Sequence, residues 1–541
     1  MCASKSEKAR SKKTCEKRED RAAEIANTFE WLITAFMLAF VFRAFVMEAF
    51  RIPTGSMADT LKGAHFKLCC PRCGYKYDHN SGSERVPTDD VSIETGSPRC
   101  PICGYFLPSN MRMPVSSGDR ILVLKCVYQF LDPRRWDVVV FKNPGEPRQN
   151  FIKRLIGRPG EEVEIIDGDI YINGQIARKP LEVQKQLWMP VYDSDYQAIQ
   201  SQRLGFGSDV WQQPFRNKDG SKWDFKSAGK SVFELESGTD DINVMFYDSS
   251  IGNDLSGESY AYNPTSTDQK RWYCSDLMVR FYVNSIESGG LIGIGLRKYD
   301  NLYKAKLDTS GAMTITKTNS SGETVELTQR KIEQPVLNKA TLVKFSNVDH
   351  QLIFQFGDEI LTFDLGHGRD AAGPISNRSS GELTIFGAGK LNLAHIAVSR
   401  DIYYTAPDRY GRSCFASEGQ PFKLGADEFF VLGDNSPASH DSRLWFNEGI
   451  GIKGQAVYRP GIVPRDYLVG KAVFVYWPGG FRFPWPESLR KFLLDNGRRN
   501  RPGPLQILNV PFRIIYGIVT LKWIPNIGQM RFIYGGSNKS E

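Results

Sequence analysis

The sequence predicts a mainly β protein of several units behind a single N-terminal membrane helix. Three observations predict it. From about residue 191 to 407, short alternating apolar runs recur between turns rich in Gly, Asn, Asp and Ser, the pattern of antiparallel strands. Strand-like runs stand outside that stretch too, at Asp137-Val138-Val139-Val140-Phe141, Val163-Glu164-Ile165-Ile166 and Ile170-Tyr171-Ile172. Near the N-terminus one apolar run extends from Trp31 to Phe42, broken only by Thr34. A chain of 541 residues exceeds what one hydrophobic core organises, so three or four units are expected. Apolar residues at 41% and charged residues at 24% describe a folded protein rather than a disordered or collagen-like one. A mean hydropathy of −0.36 excludes a polytopic membrane protein but permits one anchor. The formal charge of +8 is mild for this length and gives no reason to expect a nucleic-acid partner.

Residues 1–28 carry eight Lys or Arg against five acidic residues and form a basic tail. With Phe29 and the stretch past Arg43, the apolar segment reaches about 20 residues, enough to cross a bilayer at ~1.5 Å each. A cleaved signal peptide and a buried helix are the rival readings, but no small-x-small site closes the run at Val46-Met47-Glu48-Ala49-Phe50. An uncleaved anchor over 29–50 is therefore expected, with the basic flank in the cytoplasm and the rest outside.

Directly after the anchor comes Phe50-Arg51-Ile52-Pro53-Thr54-Gly55-Ser56-Met57. Pro53 fixes one backbone angle and Gly55 permits a tight approach that presents Ser56; a plain turn would use the same residues. Lys153 sits among Phe151, Ile152, Leu155 and Ile156. A lysine on an exposed strand face is the ordinary case. Apolar burial, however, lowers a lysine pKa by up to ~3–5 units, and a neutral amine so placed could take the Ser56 proton with no histidine. A third element, Gly433-Asp434-Asn435-Ser436-Pro437-Ala438-Ser439-His440-Asp441-Ser442-Arg443, is dense in residues that bond their own backbone and can hold a site rigid. Adjacent His440 and Asp441 do not suit a Ser-His-Asp relay.

Together these segments resemble the type I signal peptidases. The membrane-adjacent serine box matches Ile52 to Met57, and a Gly-Asp-Arg strand box matches Gly118-Asp119-Arg120-Ile121-Leu122-Val123. The lysine box matches Ile152-Lys153-Arg154 with Gly157 and Pro159-Gly160, and the last box matches Gly433 to Arg443. The boxes stand in family order over residues 29–68, 105–190 and 420–480. The resemblance implies Ser56 as acyl-forming nucleophile, Lys153 as general base, and an oxyanion hole from the Ser56 N–H and the Thr54 hydroxyl. It implies Ser439 as the residue orienting the lysine amine, Asp441 and Arg443 as an ion pair, and Gly433, Asp434 and Asn435 as loop-shaping residues. Ile52, Met57, Phe151 and Ile152 fall where the family builds shallow apolar pockets for small side chains, an Ala-x-Ala preference. It departs at Thr54, where many members have serine, and at Ser436-Pro437-Ala438, where they are more polar. No catalytic cofactor is implied. The implied partners are signal peptides of exported preproteins and the bilayer, and the implied place is the cytoplasmic membrane with the catalytic unit outside.

Two insertions exceed that core. Cys70-Pro71-Arg72-Cys73-Gly74-Tyr75 and Cys100-Pro101-Ile102-Cys103-Gly104-Tyr105 repeat one pattern, 26 residues apart. Two such Cys-x-x-Cys-Gly turns complete a structural zinc site of four thiolates, disulfides being the rival in an oxidising compartment. The alternating stretch, ending Leu391-Asn392-Leu393-Ala394-His395-Ile396-Ala397-Val398, resembles a concanavalin or laminin-G type sandwich, a spacer or the holder of a glycan or protein ligand. The expected organisation is a 1–28 tail, the 29–50 anchor, and a core from 51–68, 105–190 and 408–487. A zinc ribbon at 69–104, a sandwich at 191–407 and a basic, apolar tail at 488–541 complete it. Rival functions are a self-cleaving Ser/Lys regulator, disfavoured because no DNA-binding module is present, and a catalytically idle anchored scaffold that displays the sandwich.

Overall fold

The computed structural model describes residues 24–82, 91–92, 97–108, 111–198, 211–225, 231–251, 253, 255, 260–264, 273–286, 288–333, 339–373, 381–406, 414–451, 457–479 and 527–536. Among them one helix, Glu24–Val46, is long and apolar enough to cross a membrane. Its Trp31, Phe36, Phe40 and Phe45 are all exposed. The helix overlaps the anchor expected at 29–50 but starts and ends earlier. Met47–Arg51 is a strand, because its backbone pairs antiparallel with Arg120–Leu124, Met47 opposite Leu124 and Arg51 opposite Arg120. Residues 1–23 of the basic tail lie outside the described residues.

That strand is one edge of the central sheet, whose order is Met47–Arg51, Arg120–Leu124, Leu468–Trp477, Val138–Asn143, Glu146–Gly157, Glu428–Leu432, Val463–Pro464. Segments more than 400 residues apart in sequence thus lie in one sheet, as a core of discontinuous pieces requires. Arg531–Phe532 adds to Leu468–Trp477, so this part of the expected tail belongs to the core. Residues 505–524, an apolar stretch of that tail that suits an interfacial or a domain-docking segment, lie outside the described residues. A second sheet (Gln175–Ile176, Asp169–Ile172, Glu162–Ile166, Phe422–Lys423) packs beside the first around Trp136, Ile156, Phe430 and Leu432. Ile402 and Tyr404 join this same cluster, so the chain has already returned to the core before residue 408.

Around the first cysteine pair, His65–Cys69, Lys76–Asn80 and Val115–Ser116 form a small sheet, reaching beyond the expected 69–104, and the Cys70–Cys73 knuckle joins its first two strands.

The sandwich runs from Met189 to Arg400 in two sheets. One is ordered Met189–Asp193, Lys390–Arg400, Leu277–Ile286, Thr341–Val348, Gln351–Phe356, Glu359–Asp364; the other, Phe215–Asn217, Asn243–Tyr247, Leu383–Ala388, Leu291–Lys298, Asn301–Asp308, Ala312–Thr318, Thr324–Lys331. Period-2 alternation shows in Gln351–Phe356, where Leu352, Phe354 and Phe356 are buried between sheets and the intervening residues are not.

Buried charge joins the sandwich to the core. Asp169 and Lys179 of the core meet Asp276, Lys298 and Asp349 of the sandwich and Asp401 just past its last strand, and all six are buried. Lys179 pairs with Asp349 and, at 2.8 Å, with Asp401; Lys298 pairs with Asp276 and, at 3.3 Å, with Asp169. Burial and the crowding of carboxylates lift Asp401 to about 7. Removing one ammonium leaves carboxylates uncompensated in a dry interior, so Lys298→Met is expected to destabilise the chain by about 3–5 kcal/mol, read from denaturant unfolding.

Candidate active site

Ser56 and Lys153 are 97 residues apart in sequence and meet in space: Lys153 Nζ lies 2.6 Å from Ser56 Oγ. Lys153 enters from the strand Glu146–Gly157, opposite Val139, and is only 5% exposed. Burial drops its pKa to about 8, against the opposing pull of Asp441 and Asp434 and with a small push from Arg443. The amine is therefore partly neutral near pH 7–8, and a neutral amine at this distance is placed to accept a serine proton.

Three sets of contacts hold the pair. The first is Arg154, wholly buried, which donates from Nε and Nη2 to the two carboxylate oxygens of Asp434 at 2.7 Å each and from Nη1 to the Trp136 carbonyl at 2.9 Å. A bidentate pair of this kind fixes angle as well as distance, so the lysine strand is locked to the 433–443 loop one residue from the amine. The second is Asp441, whose carboxyl burial would raise but which Arg443 (2.8 Å) and the Gly433 N–H (3.0 Å) hold below its ordinary range. Arg443 also donates to Thr405 and Ser436.

The third set grips the serine loop itself. The Asn435 N–H donates to the Ser56 carbonyl at 3.0 Å and its side-chain amide to the Gly55 carbonyl at 2.9 Å. Behind, a Cβ on Gly118 would sit 2.0 Å from the Ile52 carbonyl oxygen. The buried Asp119 carboxylate accepts from the Lys62 and Gly479 N–H groups and pairs with Arg531. These contacts explain why a Gly-Asp pair stands there.

The remaining expected residues divide. Among the described residues the Ser56 N–H has no partner, and the Thr54 side chain is exposed and unpaired. Ser439 Oγ is buried beside the Asp441 carboxylate, which it helps to hold below its ordinary range; a Cβ on Gly433 would meet it at 2.2 Å and the Ser56 carbonyl oxygen at 2.5 Å. Ile52, Met57 and Ile152 share one apolar cluster, whereas Phe151 packs with Phe141 and Trp445 in another. Successive strand residues face opposite ways, so 151 and 152 do not line one pocket. His440 accepts from Trp445 Nε1 at 3.1 Å and makes no contact with Ser56.

Cys70, Cys73, Cys100 and Cys103 converge, their sulfurs all within 4.8 Å of one another and unbonded, with Cys70–Cys103 at 3.5 Å and Cys73–Cys100 at 3.7 Å. Zinc bound tetrahedrally at ~2.3 Å per sulfur places sulfurs about 3.8 Å apart, so the donor set fits that ion. The knuckles repeat one geometry: Gly74 and Gly104 have φ of +78° and +71°, and their N–H groups bond back to Cys70 and Cys100.

Two contributors had no sequence signal. Tyr262 and Asn263, from within the sandwich insertion, reach this site. A Cβ on Gly55 would stand 2.2 Å from the Tyr262 ring, and Asn263 bonds Asn435.

The family model described as signal peptidase, peptidase S26 matches residues 105–207 and 399–477, which include Lys153 and the 433–443 loop and begin after Ser56. Probable signal peptidase I-2 of Synechocystis sp. is 37% identical over 78 residues, 13% of this chain and 35% of its own length. Signal peptidase I of Rickettsia akari is 30% identical over 146 residues, 27% of this chain and 42% of its own length. The chain thus spans about two fifths of the length of the curated relatives it matches. Among solved structures, the carbohydrate binding module CBM66 from Bacillus subtilis aligns at 10% identity over 34% of this chain and 94% of its own, with a TM-score of 0.22, too slight to carry an argument.

The depressed amine is directly measurable. Followed by the NMR shift of the lysine carbon next to Nζ, Lys153 is expected to titrate near 8; a midpoint of about 10, that of a solvated lysine, would place it in water.

Proposed function

With a type I signal peptidase core as its premise, we propose that this chain is a membrane-anchored serine endopeptidase that removes N-terminal signal peptides from exported preproteins. The observation that carries the reading is the 2.6 Å contact between Ser56 and a buried, pKa-lowered Lys153. Lys153 takes the hydroxyl proton as Ser56 attacks the scissile carbonyl, and passes it to the leaving amine. It then deprotonates the water that releases the acyl group. The Ser56 N–H, without a partner among the described residues, and the exposed Thr54 hydroxyl are the donors for the oxyanion, and Ser439, buried between the Gly433 backbone and the Asp441 carboxylate, orients the amine.

Sheet topology supports an extended substrate. Met47–Arg51 is an edge strand, and Glu146–Gly157 gains its second neighbour, Glu428–Leu432, only from Arg154 onward. Two open backbone edges therefore flank the serine, and a peptide strand can pair with them. Ile52, Met57 and Ile152 supply the apolar floor on one side, and Phe151 stands apart from it on the other face of its strand. The preference for small side chains, Ala-x-Ala in pattern, is what the resemblance to the type I signal peptidases implies.

The helix Glu24–Val46 ends ten residues before Ser56. At ~1.5 Å per residue its 23 residues exceed the roughly 30 Å hydrocarbon core. The basic flank favours a cytoplasmic N-terminus in the cytoplasmic membrane, with the catalytic unit outside at the bilayer surface. The tether then presents Ser56 where a translocated signal peptide still lies in the lipid.

The cysteine quartet holds structural zinc, outside the reaction. Four sulfur donors leave no open coordination position, and catalysis needs no cofactor. A glycan or protein ligand of the sandwich remains a proposal without an assigned site.

Two outcomes test the reading. Purified full-length chain in detergent should cleave a preprotein with an Ala-x-Ala site, and Ser56→Ala should lose essentially all of that activity; equal turnover by both, or none by either, overturns it in favour of an idle scaffold. Elemental analysis should find one zinc per chain that is lost in Cys100→Ser, whereas metal-free protein with intact disulfides would refute the ribbon.

A further inference from the structure

We propose that the sandwich insertion is a working part of the catalytic loop: Asn263, through a reciprocal amide pair with Asn435, positions Ser56. The inference rests on the reading of Ser56 as nucleophile. The side chain of Asn435 has two N–H donors and one carbonyl acceptor. One N–H goes to the Gly55 carbonyl at 2.9 Å and the other to Asn263 Oδ1 at 2.8 Å, while its oxygen accepts from Asn263 Nδ2 at 2.6 Å. With the backbone N–H of Asn435 on the Ser56 carbonyl, one residue grips two successive peptide units of the serine loop. Asn435 is fully buried and Asn263 is 9% exposed, so no water replaces a lost partner without cost.

Without Asn263, the Asn435 amide has one donor and its acceptor unsatisfied. Rotation of the amide then turns an oxygen toward the Gly55 carbonyl, which repels it and loosens the loop. Displacement of a nucleophile by a fraction of an ångström is enough to slow a reaction that depends on alignment.

Residues 260–264, which carry Asn263, are tied to the rest of the protein at several points. The Asn263 N–H closes a turn onto the Tyr260 carbonyl, and the Asn80 N–H of the ribbon donates to the Tyr262 carbonyl at 2.8 Å. Arg400 of the sandwich stacks over the Tyr260 ring. The Tyr262 ring lies against the face of Gly55. Asn263 does not touch Ser56 and acts through Asn435, as a positioning residue.

The test is cleavage of an Ala-x-Ala preprotein by the full chain in detergent, comparing wild type, Asn263→Ala, Ser56→Ala and, as control, Tyr282→Ala, an exposed side chain on a central strand of the sandwich. Asn263→Ala is expected to lower kcat at least tenfold with KM within twofold, an unchanged acid limb of the pH profile and a wild-type circular dichroism spectrum. Tyr282→Ala should match wild type. Should Asn263→Ala fail to fold, Asn263→Asp, which keeps the shape but removes the donor to Asn435, decides by the same tenfold criterion. A folded Asn263 variant with kcat within twofold of wild type, or an equal loss in Tyr282→Ala, overturns the inference while leaving Ser56 as nucleophile. Indistinguishable wild type and Ser56→Ala would instead overturn both.

Discussion

A lysine amine buried beside a serine hydroxyl, and proposed to work uncharged, sets the terms for everything around it. Water would restore the charge, so the amine has to be enclosed, and enclosure makes every polar group nearby dependent on a protein partner. The structure meets that demand with buried, paired groups: Arg154 with Asp434, Arg443 with Asp441, Asn435 with the serine loop. The opposing carboxylates are near enough to pull the pKa up, and their own arginines blunt that pull. The result is an amine at about 8 rather than one fully charged or fully inert. Position and proton affinity are thus set by the same contacts.

Much of this was legible in the sequence because the chemistry is clustered in it. Ser56 and Lys153 each stand in a short apolar or turn context that suits their role, and the 433–443 loop announces its polarity within eleven residues. The sandwich could be read from its alternation, and the paired cysteine knuckles from their repetition. What could not be read is long-range. Tyr262 and Asn263 lie in an ordinary turn of the insertion, with no spacing that marks them, and their meaning comes only from Gly55 and Asn435 across the fold. The six buried charges that join sandwich and core are likewise scattered from Asp169 to Asp401; singly, each reads as a surface residue.

Errors of boundary have a similar origin. Hydropathy alone ran the anchor on through Phe50, although Met47–Arg51 has a pairing partner some seventy residues later and folds as a strand. Grouping Phe151 with Ile152 ignored the two-residue period that sends them to different clusters. In both cases apolar character was correctly seen, and the neighbour that would use it was not.

The order in which these parts leave the ribosome gives the clamp a temporal meaning. Gly55 and the Asn435 amide that grips its carbonyl are 380 residues apart, and Arg154 and Asp434 are 280 apart. On the proposed reading, a nascent chain exports its serine early and its lysine soon after, yet both wait for residues 433–443 before their surroundings close. Until that loop arrives, the growing molecule carries the two groups without the means to align them. A peptidase that, on that reading, shares its exit route with its substrates is thereby kept harmless during its birth.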